Sequence, residues 1–184
     1  MTRQRTLYKC MKASMTGNKG FALFYALLVS SLALAIGAAI FDITLREIDL
    51  ASAATQSQYA VFIADTAGEC ALYWDNKCTG TGCNSNGSVF ATSSASTATP
   101  ANSNFVCDGV DVTSSTAGWA VSANVSSATT TFNLTGITFH NQTPCAFVQV
   151  VKSGTPVTTT VTAHGYNTCV AGVTQLERVF QINY

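Results

Sequence analysis

The chain has 184 residues, with nine basic and nine acidic side chains and a formal net charge of zero. Five of the basic residues lie within the first 20 positions, so the remainder carries four basic and nine acidic side chains and a net charge of −5. Because binding to nucleic-acid phosphates needs clustered Lys and Arg, this balance disfavours a nucleic-acid-binding function for the part that follows residue 20.

A basic segment opens the chain. It has no acidic residue and carries Arg3, Arg5, Lys9, Lys12 and Lys19. Basic residues that flank an apolar span remain on the cytoplasmic side of a membrane. We therefore predict that residues 1–20 form a cytoplasmic leader peptide and that everything after the span is extracytoplasmic.

An uncharged segment follows, from Phe21 to Phe41. As a helix it would be about 31 Å long, which matches the hydrocarbon core of a bilayer. Residues 21–41 are accordingly predicted to be the transmembrane and assembly helix of a single-pass membrane protein. The alternative is a conventional secretory signal with cleavage near Ala51–Ala53, but the basic leader and the apolar run are both longer than such a signal needs.

The helix is predicted to continue beyond the membrane. Up to about Trp74 the sequence has no Pro and only two glycines, Gly37 and Gly68, so nothing ends a helix at the membrane surface. Apolar residues recur there at three- and four-residue steps, which is typical of an amphipathic helix. Residues 42–74 are assigned to this continuation, with an apolar face formed by Ile48, Ala51, Tyr59, Phe62, Ile63, Cys70 and Tyr73.

Residues 75–184 are predicted to form a β-rich globular domain. Its first part, 75–104, is rich in small polar residues and is interpreted as a long surface loop. Strands that follow a helix through short connections favour an antiparallel sheet packed on that helix, so the predicted fold class is α+β. Alternating or β-branched patterns place the strands at 119–125, 132–139, 145–151, 157–163 and 176–184, with a turn at 153–156.

Six of the seven cysteines lie beyond the span, on the side where thiols are oxidised. They allow fifteen connectivities. Two of them are close in sequence, two others flank the late hairpin, and a bond between the last two would hold the loop to the helix. We therefore predict that all six are oxidised and that Cys10 is dispensable, with the pairs Cys78–Cys83, Cys145–Cys169 and Cys70–Cys107.

Patterns for metal binding and catalysis are weak. A zinc alternative rests on Cys78, Cys83, His140 and His164, but no second cysteine pair has ligand spacing and external thiols are oxidised. The segment Asp108–Asp111 lacks the further acidic ligands of a calcium site and is interpreted as a turn. Since no nucleophile–base, phosphate-binding or paired-carboxylate motif is present, we expect no enzyme activity, cofactor or metal.

Taken together, these features resemble type IV pilin-like proteins, specifically minor pilins and pseudopilins. The resemblance rests on a basic leader ending in Lys19-Gly20, on Phe21 as the next residue, on the uncharged helix and on the helix-then-sheet domain. In that family a membrane peptidase cleaves after the glycine, and the new N-terminal residue is usually methylated. The resemblance thus implies that a prepilin peptidase cleaves between Gly20 and Phe21 and that Phe21 is N-methylated.

Tyr25 departs from the family pattern. The family usually has Glu at the fifth mature position, where its carboxylate neutralises the N-terminal amine of a neighbour. Tyr25 therefore favours a low-copy minor component of a type IV pilus or of a related secretion or DNA-uptake filament. The implied partners are other pilin-like subunits, the prepilin peptidase and, before assembly, the membrane. The competing class is a membrane-anchored adhesin or binding domain that never enters a filament.

Overall fold

The computed structural model describes residues 19–79, 82–84, 87–95, 105–113, 117–139 and 141–184. Most of the predicted leader, with Arg3, Arg5, Lys9, Cys10 and Lys12, lies outside the described residues, as does His140. The chain separates into two compact units, 1–51 and 52–184, of which the first is described from Lys19 onwards.

One helix, α1, runs without interruption from Lys19 to Lys77. It ends at Lys77 rather than near Trp74, and both Gly37 and Gly68 lie inside it, as the sequence predicts. Residues 19–51 of α1 make up the described part of the first unit, and residues 52–77 belong to the second.

Seven strands follow α1 in the part of the chain that the structure describes. A small hairpin pairs β1 (Val106–Cys107) with β2 (Val110–Asp111). The other five strands form an antiparallel sheet in the order β3-β4-β5-β6-β7, packed on the last part of α1, which confirms the predicted α+β fold. Their bounds are Ala120–Ala123 (β3), Ser127–Leu134 (β4), Cys145–Ser153 (β5), Thr158–Tyr166 (β6) and Glu177–Asn183 (β7).

Two predicted turns are confirmed. Asp108 and Gly109 have φ angles of 47° and 79° and connect β1 to β2. An Asp-Gly pair suits such a two-residue hairpin turn, because both positions need a positive φ. The second turn, residues 154–157, joins β5 to β6.

The strand predicted at 132–139 is wrong in position. The observed strand β4 begins at Ser127 and ends at Leu134, before Gly136, whose φ is 89°. Pairing along the whole length of β4, from Ser127 opposite Ser153 to Leu134 opposite Ala146, sets this register. The first half of β4 is weakly hydrophobic and therefore resembles a loop in sequence, although its alternate side chains face the core.

The face of α1 that packs on the sheet also differs from the predicted face. Ile63 is buried as expected, but Phe62 and Tyr73 are 61% and 58% exposed, and Ile48 in the first unit is exposed too. Beside Ile63, the buried face consists mainly of alanines, namely Ala60, Ala64, Ala67 and Ala71. Small side chains let the helix backbone come close to the sheet.

Two glycines mark where this approach is closest. A Cβ atom on Gly165 in β6 would lie 2.1 Å from the carbonyl oxygen of Ala60 and 2.7 Å from the backbone nitrogen of Ala64. A Cβ atom on Gly68 would lie 2.7 Å from the ring of Phe180 in β7. At Gly165 the obstructing atoms belong to the helix backbone, so this position requires glycine; at Gly68 a Cβ atom would force the ring of Phe180 to shift.

Gly165→Ala is therefore expected to lower the free energy of unfolding by about 1 to 3 kcal/mol, since the obstructing atoms include helix backbone. Chemical denaturation of the oxidised chain, followed by tryptophan fluorescence, measures this change. Thr162→Val, on the opposite face of β6, is the control and is expected to stay within about 0.5 kcal/mol of wild type. Wild-type stability of Gly165→Ala would contradict the close packing.

The core between α1 and the sheet is rich in aromatic rings. Phe90, Phe105, Trp119 and Phe132 pack together with ring centroids 5.3 to 6.2 Å apart. Residues 88–91 are buried, so the interpretation of 75–104 as a surface loop is wrong for this segment. Burial of the Phe90 ring among the other aromatic rings supplies the packing energy that holds residues 88–91 in the core.

Candidate functional site

The predicted processing junction lies at the start of α1. Gly20 is the second residue of the helix, and no other part of the described chain lies within 4 Å of the position that its Cβ would take. Phe21 is 67% exposed, and its ring centroid is 5.4 Å from that of Tyr25, one helical turn later. The described residues therefore do not cover the junction on the glycine side.

The segment after the junction is apolar on all sides. Every residue from Phe21 to Phe41 is exposed. A helix that is apolar all round is stable in lipid or inside a bundle of helices, but not in water. By length and composition, α1 is the one helix among the described residues that could span a membrane.

The two serine hydroxyl groups in this segment are satisfied within the helix itself. Ser30 Oγ donates to the carbonyl oxygen of Leu27 at 3.0 Å, and Ser31 Oγ donates to that of Leu28 at 2.9 Å. In lipid, where water cannot supply an acceptor, such bonds avoid the penalty of an unsatisfied donor. Neither serine then needs a polar partner from another helix.

The structure joins the six cysteines after the span in three disulfides. Their Cα–Cα distances are 5.8 Å for Cys70–Cys107, 5.7 Å for Cys78–Cys83 and 6.0 Å for Cys145–Cys169. These are the same pairs that the sequence analysis predicts. Since Cys78 and Cys83 are bonded to each other, neither offers the thiolate that the zinc alternative requires.

Non-reducing peptide mapping is expected to recover these three pairs and no free thiol among the six. The bonds Cys70–Cys107 and Cys145–Cys169 close separations of 37 and 24 residues. Each closure is expected to add about 3 to 4 kcal/mol of stability in the chain-entropy description. Cys10→Ser serves as the control and should change neither the map nor the stability. A free thiol at Cys70 or Cys107 would contradict the arrangement.

A buried ion pair lies at the C-terminal end of α1. Asp75 Oδ1 contacts Lys152 Nζ near the end of β5, and the two side chains are 4% and 7% exposed. The Ser88 hydroxyl donates to Asp75 Oδ1, and the Tyr184 hydroxyl donates to Asp75 Oδ2 at 2.5 Å. The carboxylate of Asp75 thus connects α1 to the segment 88–91, to strand β5 and to Tyr184.

Burial raises the pKa of the Tyr184 hydroxyl, and the hydrogen bond to Asp75 and the negative charge of that carboxylate raise it further. Tyr184 therefore stays protonated, and remains a donor, throughout the physiological pH range. Sequence analysis missed this cluster because its members are far apart in the chain. The available signal was Lys152, which occupies an inward position in line with Val148 and Val150 of β5.

A second polar cluster lies on the outer face of the sheet. His164 Nδ1 is 2.5 Å from Glu177 Oε1, and the Tyr166 hydroxyl is 3.4 Å from the same oxygen. Partial burial raises the pKa of Tyr166, as do the charge and hydrogen bond of Glu177. His164, a candidate zinc ligand in the sequence, thus pairs with a carboxylate. No metal-binding group of three His, Cys, Asp or Glu side chains occurs among the described residues.

Comparison with known proteins adds no assignment. No protein-family model matches the chain, and no curated protein or solved structure matches it either. The predicted processing junction, the exposed apolar segment 21–41 and the disulfide-bonded sheet domain are therefore the features from which a function is inferred.

Proposed function

We propose that the chain is a structural subunit of the type IV pilin-like class, a minor pilin or pseudopilin of a type IV pilus or of a related secretion or DNA-uptake filament. The observation that carries the proposal is that the two parts of α1 have different surfaces. Its first part is apolar all round and exposed along its whole length, and its last part is the support on which the antiparallel sheet packs.

In this proposal the chain enters the membrane with its N-terminus in the cytoplasm and its sheet domain outside. A prepilin peptidase cleaves between Gly20 and Phe21, and Phe21 is N-methylated. Residues 21–41 then pass from lipid into a bundle of neighbouring helices. Because the segment is apolar on every side, this step exchanges one apolar environment for another.

Analysis of sheared surface fibres from producing cells tests the proposal. We expect the protein to occur in the fibres at low copy, with Phe21 as its N-terminal residue. Reducing and non-reducing gels of the same fibres control for disulfide-linked contaminants. Recovery of the protein only from membranes, with residues 1–20 still attached, would favour an anchored adhesin or binding domain instead.

The Tyr25→Glu variant is expected to enter filaments at least as well as wild type. The introduced carboxylate would sit where the family usually neutralises a neighbour's N-terminal amine, and Tyr25 is 58% exposed and therefore accessible to such a neighbour. Quantitative immunoblotting of sheared fibres measures incorporation, with Tyr25→Gln as the uncharged control. Loss of Tyr25→Glu from the fibres, with Tyr25→Gln retained, would show that this position does not face an amine.

A further inference from the structure

A stripe of aromatic and acidic side chains runs along α1 within the second unit. It consists of Phe62, Asp65, Glu69 and Tyr73, and we call it the outward stripe. The spacings of three, four and four residues place all four on one helix face. All four are exposed, and along the helix the two aromatic rings lie on either side of the two carboxylates. Scattered exposed apolar residues are ordinary, but two aromatic rings on either side of two carboxylates on one helix face form an organised surface.

Phe62 stands between two shallow hollows. One has a volume of about 370 Å³ and is bordered by Tyr59 and Phe139. The other, of about 270 Å³, is bordered by Val61. A ridge flanked by hollows is the shape into which the side chains of a second helix interdigitate. The surface around Phe62 therefore fits a helix better than a small polar ligand.

Among the described residues, the carboxylates of the outward stripe have no cationic partner. Neither Asp65 nor Glu69 forms an ion pair in the part of the chain that the structure describes. Beyond the span the sequence has four basic residues, and all four are described: Arg46, Lys77, Lys152 and Arg178.

Three of these four basic residues already interact with other groups. Arg46 pairs with Asp42 at 3.2 Å, and Lys152 is buried against Asp75. Arg178 Nε donates to Ser57 Oγ at 2.9 Å. Beyond residue 20, a second copy of the chain has nine acidic and four basic side chains, so it would approach the outward stripe with a net charge of −5. Like charges brought together this way oppose association.

We infer that the outward stripe is a docking surface for a different protein, which presents an amphipathic helix with Lys or Arg among its apolar residues. The cations pair with Asp65 and Glu69, and their stems or guanidinium planes pack on Phe62 and Tyr73. This inference rests on the proposed function, in which the partner is another pilin-like subunit. The inference adds that this contact is heteromeric, and it identifies the face of α1 that makes the contact.

Photo-crosslinking of the full chain in producing cells tests the inference. p-Benzoylphenylalanine replaces Phe62, and the crosslinked peptide is sequenced after irradiation. The expected product is an adduct with a protein of different sequence, crosslinked within one helical turn of a Lys or Arg. In an Asp65→Asn/Glu69→Gln background the adduct yield is expected to fall about tenfold.

The matched control is Gln181→Lys/Asn183→Lys, on the exposed side of β7. It raises the net charge by the same two units as the neutralised variant, and it should leave the adduct yield unchanged. Peptide mapping of the three disulfides in every variant verifies that the domain is folded. An equal loss of adduct in the control would assign the effect to net charge and overturn the inference.

An adduct between two copies of this chain would also overturn the inference, as would no adduct at position 62 or an undiminished adduct in the neutralised variant. The proposed function is judged separately, by cleavage at Gly20 and by recovery from sheared fibres. A processed, fibre-bound chain without a heterologous adduct refutes the docking surface alone. A heterologous adduct on an uncleaved chain that is absent from fibres refutes the pilin assignment alone.

Discussion

The Gly20→Leu variant is expected to remain uncleaved and to accumulate in the membrane with residues 1–20 attached. The substitution should not disturb α1, because no other described residue comes within 4 Å of the position that a Cβ would take and leucine is a better helix former than glycine. Any loss of cleavage would therefore reflect the need of the peptidase for a small residue before the cleaved bond. Intact-mass analysis of the membrane-bound protein measures the result.

Gly37→Leu is the matched control, since Gly37 lies in the same helix and is equally open. This variant is expected to be cleaved after Gly20 as in wild type. Cleavage of the Gly20→Leu chain at the usual bond would show that the junction is not a prepilin site. A mature N-terminus near Ala53 would instead identify a conventional secretory signal.

The Asp75→Asn variant is expected to lose about 3 to 5 kcal/mol of unfolding free energy, because it leaves the buried Lys152 without a counter-charge. The amide is nearly isosteric with the carboxylate, so the loss comes from charge rather than shape. Chemical denaturation of the oxidised chain measures the difference.

A double variant provides the internal control. Asp75→Asn/Lys152→Met removes both charges and is expected to recover most of the lost stability, since a buried pair can often be replaced by neutral groups at little cost. Lys152→Met alone should be milder than Asp75→Asn alone, because Ser88 and Tyr184 still donate to the remaining carboxylate. Additive losses in the double variant would mean that the two charges do not stabilise each other.

The long helix could be predicted because its signals are local. An uninterrupted run without Pro, together with the three- and four-residue apolar spacing, is sufficient to place α1. The turns at Asp108-Gly109 and at 154–157 were equally local, since each depends on the chemistry of a few adjacent residues. The disulfide pairs followed from where the predicted elements placed the cysteines.

The contacts between elements could not be predicted in the same way. Hydrophobicity favoured Phe62 and Tyr73 as the buried face of α1, but the sheet approaches the alanine side because Gly165 lets a strand backbone reach Ala60. Strand β4 was misplaced because its register depends on pairing with β5. The ion pair between Asp75 and Lys152 joins residues that no local pattern relates.

The covalent map of the domain has a mechanical consequence. Cys70–Cys107 fastens the β1–β2 hairpin to α1, and Cys145–Cys169 closes a loop within the sheet region, but none of the three disulfides joins α1 to the five-stranded sheet. A pull applied between helix and sheet is therefore resisted first by noncovalent contacts, among them Gly165 on Ala60, Phe180 on Gly68, Arg178 with Ser57 and the carboxylate of Asp75. Under load the sheet would peel from the helix before any sulfur–sulfur bond came under tension.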